Sequence, residues 1–336
     1  MKKPFILFCA GEDSGDVLGE AFVRSAIAEG FDAKGAGGIR MQSAGLLPIV
    51  PFDDLPVNGF GDVFLHYFHL REHFHILASL LKDPSCKGFI AVDYPGFNLR
   101  LMKIAECNQV PVRYVAPPQI WAWKEKRGEL FKGKEVYVLF DFEREVYEKF
   151  GASVKMLAHP FDSIRKSVNV PCRTKKIFLF PGSRMSQAFR NVELYRGIAT
   201  VLKKEGFDPS FVASRELLLG SLKEKLSGEF PVLLSPSDSQ KRYELFASAS
   251  FAFAVPGSSI VEMHKAGVRS IAVSRIEPLT YLLGKLFLKT KFLTVPNIEA
   301  VRKGDVPPVP EYVFPSCQSV FSQIGRVLSA FHSIKL

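Results

Sequence analysis

Short apolar runs alternate with segments of helical spacing along the whole chain. Runs at 5–10, 88–92, 112–116, 136–140 and 154–158 each read as a buried strand, and the pattern restarts at 177–180, 211–213, 232–234, 251–255 and 270–273. Strands this continuously apolar, separated by helical stretches, specify parallel sheets covered on both faces. A polar stretch at 163–176, containing Pro171, divides the two sets. The expectation is an α/β protein with two Rossmann-like doubly wound parallel sheets facing a cleft. The N-terminal domain covers 1–168, the C-terminal domain 169–315, and the tail 316–336 forms a helix that packs back on the first domain. A length of 336 residues suits two cores better than one.

Open α/β sheets bind ligands at the carboxyl ends of their strands, so the turns after the strands carry the candidate chemistry. The first strand runs into AGEDSGDVLGE, where Gly11, Gly15 and Gly19 permit a tight turn. Glu12, Ser14 and Asp16 suit polar hydroxyls of a substrate there, or else the segment is an ordinary helix start capped by Asp13 or Ser14. GAGGIRM (35–41) is a second glycine loop on the same sheet edge. The strand at 88–92 ends in Asp93, a lone carboxylate able to act as general base or to cap a helix. The stretch 112–127, VRYVAPPQIWAWKEKR, holds both tryptophans of the chain behind Pro117 and Pro118. The prolines stop sheet pairing and leave Gln119, Trp121 and Trp123 at a strand's carboxyl end, as a cleft wall or a packing plug.

In the second half, Gly182, Ser183 and Arg184 follow a strand and make a compact anion cradle of amides, a hydroxyl and a guanidinium. The Lys-Ser/Thr ending of an ATP-binding P-loop is missing. At 251–267 the same logic recurs: amides at Gly257, Ser258 and Ser259 would meet a diphosphate at a helix N-terminus, and Glu262 one turn inside would accept from a ribose diol or is an ordinary first-turn glutamate favoured by the helix dipole.

Two segments point to lipid. From 57 to 81 the chain turns aromatic, with Phe60, Phe64, Tyr67 and Phe68, and the spacing suits an amphipathic helix beginning near Val63. It forms either a core helix or a lip for acyl chains. His69 and His73 are four apart on this helix, but no further ligand completes a metal site. Lys285, Lys289 and Lys291 interleave with leucines and phenylalanines at 279–297, a surface suited to anionic lipid or a helix with snorkelling lysines.

The net charge of +10 favours an acidic partner. No arginine-rich tail or nucleic-acid module is legible, so nucleic acid is not expected. Five scattered cysteines without a CxxC pair fit a reducing, cytoplasmic setting. The apolar start meets Glu12 and Asp13 too early for a signal peptide, and no apolar run approaches a membrane span.

Taken in order, AGEDSGDVLG, GAGGIRM, VDYPGFN, APPQIWAWKEKR, FERE, AHPF, FPGSR, PGSSIVE and VPNIEA resemble bacterial lipid-A-disaccharide synthase over nearly the whole chain. PQIWAW and PGSR are the specific elements. The resemblance implies GT-B glycosyltransferase architecture and transfer of 2,3-diacylglucosamine from its UDP conjugate to 2,3-diacylglucosamine 1-phosphate (lipid X), with inversion and release of UDP. It implies Asp93 as the essential acid, Arg184 and Ser183 in the nucleotide element, Gly257, Ser258 and Glu262 at the diphosphate and ribose, and Asn297 as important for activity. It also implies no cofactor or metal, a seat on the inner face of the cytoplasmic membrane of a Gram-negative-type bacterium, and leaves room for a homodimer. The chain departs from the family at Pro256 and Ser258, where serine and threonine are usual, at Gln187 for glutamate, and at Lys124 for arginine. The competing readings are a UDP-N-acetylglucosamine 2-epimerase or another UDP-sugar transferase, and a lipid or nucleotide binder without turnover.

Overall fold

The computed structural model describes residues 3–55, 67–122, 124–162, 164, 174–288 and 290–335. The chain forms two compact units, Met1–Pro160 and Phe161–Leu336. The expected boundary at 168 lies outside the described residues.

The first unit is built on a seven-stranded sheet in the order β3-β2-β1-β4-β5-β6-β7, every pair parallel. Its strands are β1 (Phe5–Ala10), β2 (Asp32–Ala36), β3 (Leu46–Pro48), β4 (Cys86–Val92), β5 (Val112–Val115), β6 (Glu135–Val138) and β7 (Ser153–Met156). Its helices are α1 (Asp13–Ala28), α2 (Ile39–Ser43), α3 (Tyr67–Leu80), α4 (Pro95–Cys107) and α5 (Asp141–Glu148). Successive side chains of a strand go to opposite faces. Leu7, Cys9, Phe89, Ala91 and Tyr114 accordingly enter one core, and Phe8, Ala10, Ile90, Val92 and Val115 the other. Burial on both faces is why these strands read as unbroken apolar runs. Gly35 sits where β2 crosses Phe8 with φ +142°, and a Cβ there would lie 1.9 Å from the Phe8 carbonyl oxygen.

The second unit has a six-stranded parallel sheet in the order β10-β9-β8-β11-β12-β13. Its strands are β8 (Lys176–Phe180), β9 (Asp208–Ala213), β10 (Val232–Leu234), β11 (Phe251–Ala254), β12 (Arg269–Ile276) and β13 (Glu311–Pro315). The helices are α6 (Met185–Lys204), α7 (Glu216–Lys225), α8 (Ser239–Ala247), α9 (Ser258–Lys265), α10 (Pro278–Phe287), α11 (Val295–Lys303) and α12 (Val320–Lys335).

The expected strands are present, with ends moved by a few residues. Three further strands join them: β2 and β3 on one side of the first sheet, and β13 at the edge of the second. The tail expected as a closing helix is α12, which packs into the second unit's core. Val327, Leu328 and Phe331 of α12 are buried in the second unit's core, with the Phe331 ring 4.9 Å from Phe251 and 5.7 Å from Phe207. The helix's apolar face is thereby committed to its own sheet, and Arg269 Nη1 donates to the Ile334 carbonyl at 2.7 Å near its end.

Each sheet reverses its strand order once, between β1 and β4 in the first and between β8 and β11 in the second. A doubly wound sheet opens its ligand crevice at that reversal, outside the carboxyl ends of the two strands. Four of the motifs singled out above follow those four strands.

Candidate active site

Asp93 directly follows β4, at the switch point of the first sheet. Both Asp93 and Tyr94 have φ of +49°, a conformation costing about 1–2 kcal/mol for each residue with a side chain. The surroundings enforce it. The Asp93 amide donates to the Val115 carbonyl at 2.8 Å, and its own carbonyl accepts from the Tyr114 hydroxyl at 2.8 Å and Asn98 Nδ2 at 2.9 Å. Asn98, fully buried on α4, also donates to the Cys9 carbonyl at 2.9 Å, so one amide ties the ends of β1 and β4. Burial first, and then the nearby Asp93 charge, hold the Tyr114 phenol well above its ordinary value, so it stays a donor.

The β1 turn closes the other side of the crevice. Tyr94 donates to the Leu55 carbonyl at 2.6 Å, and its ring covers Gly11, where a Cβ would come within 2.3 Å. Glu12 is the N-cap of α1 without a side-chain cap bond, and Ser14 is half-buried on the first turn. Gly15 presses α1 against β1, with the Ala10 Cβ 3.4 Å from where its own would be. Asp16 is buried and faces the second glycine loop: its two oxygens accept from the Arg40 and Met41 amides, each at 3.0 Å. Gly38 has no room for a Cβ, which would lie 2.6 Å from Asp16 Oδ2. Asp16 thus holds GAGGIRM to α1, a role the sequence did not suggest.

Beyond β5 the chain leaves the sheet through Ala116, again left-handed at φ +49°. Helix α5 brackets the segment that follows. Tyr147 donates to the Pro118 carbonyl, and buried Glu143 accepts from Trp121 Nε1 at 3.4 Å. The Trp121 ring meets Phe142 edge to face at 5.3 Å, and Ile120 and Ala122 are buried beside it. Gln119 is exposed. Trp121 therefore both packs and remains partly accessible; Trp123 lies outside the described residues.

In the second unit the two cradle loops are neighbours, since the Val255 amide after β11 donates to the Phe180 carbonyl of β8 at 3.1 Å. Gly182 has φ +141°, and a Cβ there would lie 2.7 Å from Gln187 Oε1, so the glutamine at this position packs into the loop. Ser183 is exposed and Arg184 caps α6. Ser214, after β9, donates to the Ser183 carbonyl at 3.4 Å, which brings a third loop to the same end of the sheet. Gly257 is the N-cap of α9, with Ser258 and Ser259 opening the helix and their amides at its positive end. Glu262, one turn further, forms an ion pair with Arg242 Nη2 at 3.0 Å, a partner that left no trace in the sequence pattern.

Asn297 stands apart from this surface. It is fully buried on α11; its Nδ2 donates to the Val309 carbonyl at 2.6 Å and to Glu311 Oε1 at 2.8 Å, and its Oδ1 accepts from the Val309 amide at 2.8 Å. Glu311 also accepts from the Thr294 amide and hydroxyl and the Leu293 amide. With both Nδ2 hydrogens donated and its Oδ1 accepting from Val309, Asn297 ties α11 to the strand-side end of the 293–311 segment.

The lipid-facing expectations are placed only in part. Phe60, Val63 and Phe64 lie outside the described residues, as does Lys289, and of Tyr67 only the backbone is described. Phe68 is exposed on α3. His73 of the spaced pair is buried, its Nε2 3.1 Å from Asp54 Oδ2, while His69 is exposed. On α10 and just after it, Leu279, Leu282, Leu286 and Leu288 are exposed. Lys285 lies 4.6 Å over the Tyr281 ring, and Lys291 5.9 Å over Phe292. Among the described residues no helix is long and apolar enough to cross a membrane, and no cluster of three metal-ligating side chains occurs.

Residues 6–323 match the family described as lipid-A-disaccharide synthetase. A lipid-A-disaccharide synthase of Trichlorobacter lovleyi is 29% identical over 340 residues, covering 96% of this chain and 88% of that protein. One of Coxiella burnetii is 27% identical over 314 residues, covering 89% and 82%. Among solved structures, a putative UDP-N-acetylglucosamine 2-epimerase of Listeria monocytogenes superposes with a TM-score of 0.59 at 12% identity, covering all of this chain and 89% of the other. That likeness shows the fold, two parallel-sheet units of GT-B type. With a family match spanning nearly its whole length and both switch-point crevices carrying that family's motifs, the chain belongs to the lipid-A-disaccharide synthetase family, glycosyltransferases of lipid A biosynthesis.

Proposed function

We propose that the protein condenses UDP-2,3-diacylglucosamine with 2,3-diacylglucosamine 1-phosphate, giving the lipid A disaccharide 1-phosphate and UDP with inversion at the anomeric carbon. The observation that carries this reading is the pairing of unlike crevices in one chain: a carboxylate, Asp93, at the switch point of the first sheet, and two amide-rich cradles with Arg184 at that of the second. Asp93 takes the proton of the acceptor 6-hydroxyl as its oxygen attacks the anomeric carbon from the face opposite UDP. The left-handed backbone, pinned by Tyr114 and Asn98, fixes where that carboxylate starts. Gly182, Ser183 and Arg184, with the first amides of α9, take up the charge that grows on the departing diphosphate, and Glu262 accepts from the ribose hydroxyls. No resident metal has a part in this scheme. Gln119 and Trp121 line the acceptor side, and Glu12 and Ser14 face its hydroxyls.

The exposed leucines of α10 recur at spacings of three and four, with Lys285 and Lys291 beside them. A peripheral seat on the anionic inner face of the cytoplasmic membrane follows, where both acylated substrates reside. This apolar surface also favours the synthase over an epimerase of the same fold, whose sugar substrate carries no acyl chains.

Purified protein given both substrates in EDTA-containing buffer is expected to form the disaccharide and UDP. Asp93→Ala should lower kcat by at least about 100-fold while UDP still binds. No disaccharide from authentic substrates would overturn the synthase reading; full turnover by Asp93→Ala would overturn the base assignment alone.

A further inference from the structure

Glu262 is held by Arg242, a residue of α8 that no motif announces. Arg242 Nη2 lies 3.0 Å from Glu262 Oε1, and both side chains are nearly buried, at 12% and 13% exposure. On its other side the Arg242 guanidinium stacks 5.6 Å over the Phe161 ring, and Phe161 is itself packed edge to face on Tyr243 of the same helix at 5.6 Å. Arg242 Nε makes no hydrogen bond among the described residues, although it is buried. A guanidinium tolerates that loss where its charge is compensated elsewhere, here by one carboxylate and one aromatic face. Among the described residues, Glu262 and Phe161 hold its guanidinium.

We propose that Arg242 is a positioning and specificity-determining residue for nucleotide recognition: it locks Glu262 in the orientation that reads the ribose hydroxyls of the donor. The inference rests on the assignment of Glu262 to the ribose given above. A carboxylate has about four lone-pair sites, so one oxygen can face Arg242 while the group also serves as acceptor for hydroxyls. The ion pair supplies the counter-charge a nearly buried carboxylate needs and removes its rotamer freedom before the nucleotide arrives. Phe161, at the first position of the second unit, keeps water from the far face of the guanidinium. Because Arg242 acts through Glu262, it governs how well the ribose is read and leaves proton transfer at Asp93 untouched.

Two ligands separate this role from a merely structural one: UDP, and 2′,3′-dideoxy-UDP, which lacks the diol. Calorimetric titration of the full chain is expected to show Arg242→Gln binding UDP about 10- to 100-fold more weakly than wild type. Its affinity for the dideoxy nucleotide should be unchanged within about two-fold. Arg242→Lys, which keeps the charge but not the fork, should recover part of the loss. With the acylated donor, KM should rise in step while kcat holds. Near-ultraviolet circular dichroism establishes that each variant is folded, and Arg242→Lys serves if Arg242→Gln is not. Glu262→Gln is the reference: it should weaken UDP and leave the dideoxy nucleotide unchanged, as Arg242→Gln does. If Glu262→Gln weakens UDP alone and the Arg242 variants weaken both ligands equally or neither, the positioning role is overturned. If Glu262→Gln does not weaken UDP selectively, the ribose assignment falls and takes this inference with it.

Discussion

Asp16 sits at an energetic conflict. Burial disfavours its charge and is the leading influence, raising its pKa above the usual carboxylate range, while the amides of Met41, Arg40 and Gly38 pull the other way. A carboxyl whose folded pKa is raised binds its proton more tightly folded than unfolded. Its contribution to stability is therefore fully present below the ordinary carboxylate pKa and is lost as pH rises through the raised value. Asp16→Asn removes the titration while keeping one acceptor for the α2 amides. Both tryptophans lie in the first unit, so their fluorescence in urea follows its unfolding. Between about pH 4 and pH 7 the stability of wild type relative to Asp16→Asn should fall as pH rises. A difference that stays flat or grows would show that the amide bonds outweigh burial. Asn297 makes the complementary point: a polar residue inside a family motif can be fully buried because its N–H groups and its carbonyl all find partners within the protein.

The segment after β5 owes its shape to an element far along the chain. Helix α5 presents Glu143 and Tyr147 one turn apart, and these hold Trp121 and the Pro118 carbonyl from one side. Tyr147→Phe keeps the edge-to-face contact with Phe131 but leaves a buried carbonyl without its donor. The expected cost is about 1–3 kcal/mol of first-unit stability, read from the urea midpoint by tryptophan fluorescence. Calorimetric affinity for UDP should stay within about two-fold of wild type; a larger loss would place the nucleotide against this segment. None of this bracket is visible in the sequence, because a side chain bonding to a carbonyl 29 positions away leaves no local period. What was legible has equally physical grounds. Strands buried on both faces, such as β1, β4 and β11, appear as unbroken apolar runs. β2 mixes Asp32 and Lys34 into five residues, β3 has only three, and β13 is a half-buried edge strand behind prolines, so their signals fall below any apolar run. The turns carrying Asp93, Arg184 and Gly257 are legible because polar residues and glycine just past an apolar strand form a local pattern. Arg242 was missed because its meaning comes only from the carboxylate that tertiary structure sets beside it.

Over the whole molecule the apolar cores divide by unit. Every residue of the two cores flanking the first sheet precedes Pro160, and every residue of the two flanking the second follows it. Each sheet is thus stabilised by its own hydrophobic burial, and a ligand held by one unit should stabilise that unit first. The net charge of +10 adds a long-range attraction for anionic nucleotide and lipid alike, so it favours encounter without choosing the unit. On the proposed reading, choice comes from the switch-point loops: amides and a guanidinium after β8 and β11, a carboxylate after β4. UDP at about 100 times its Kd should stabilise the unit that binds it by about 2.7 kcal/mol, a roughly 100-fold slowing of exchange for amides exposed only by unfolding. Hydrogen exchange with mass spectrometry should therefore show β8, β11, α6 and α9 slowed, and β1, β4 and α1 changed by less than about two-fold. Equal protection of both sheets would mean that the nucleotide's free energy is shared between the units, and the donor site would then have to include the Asp93 crevice. Protection of the first sheet alone would overturn the assignment of the two cradles, since a diphosphate seated at Arg184 and the α9 N-terminus has no other route to stabilising β1 before β8.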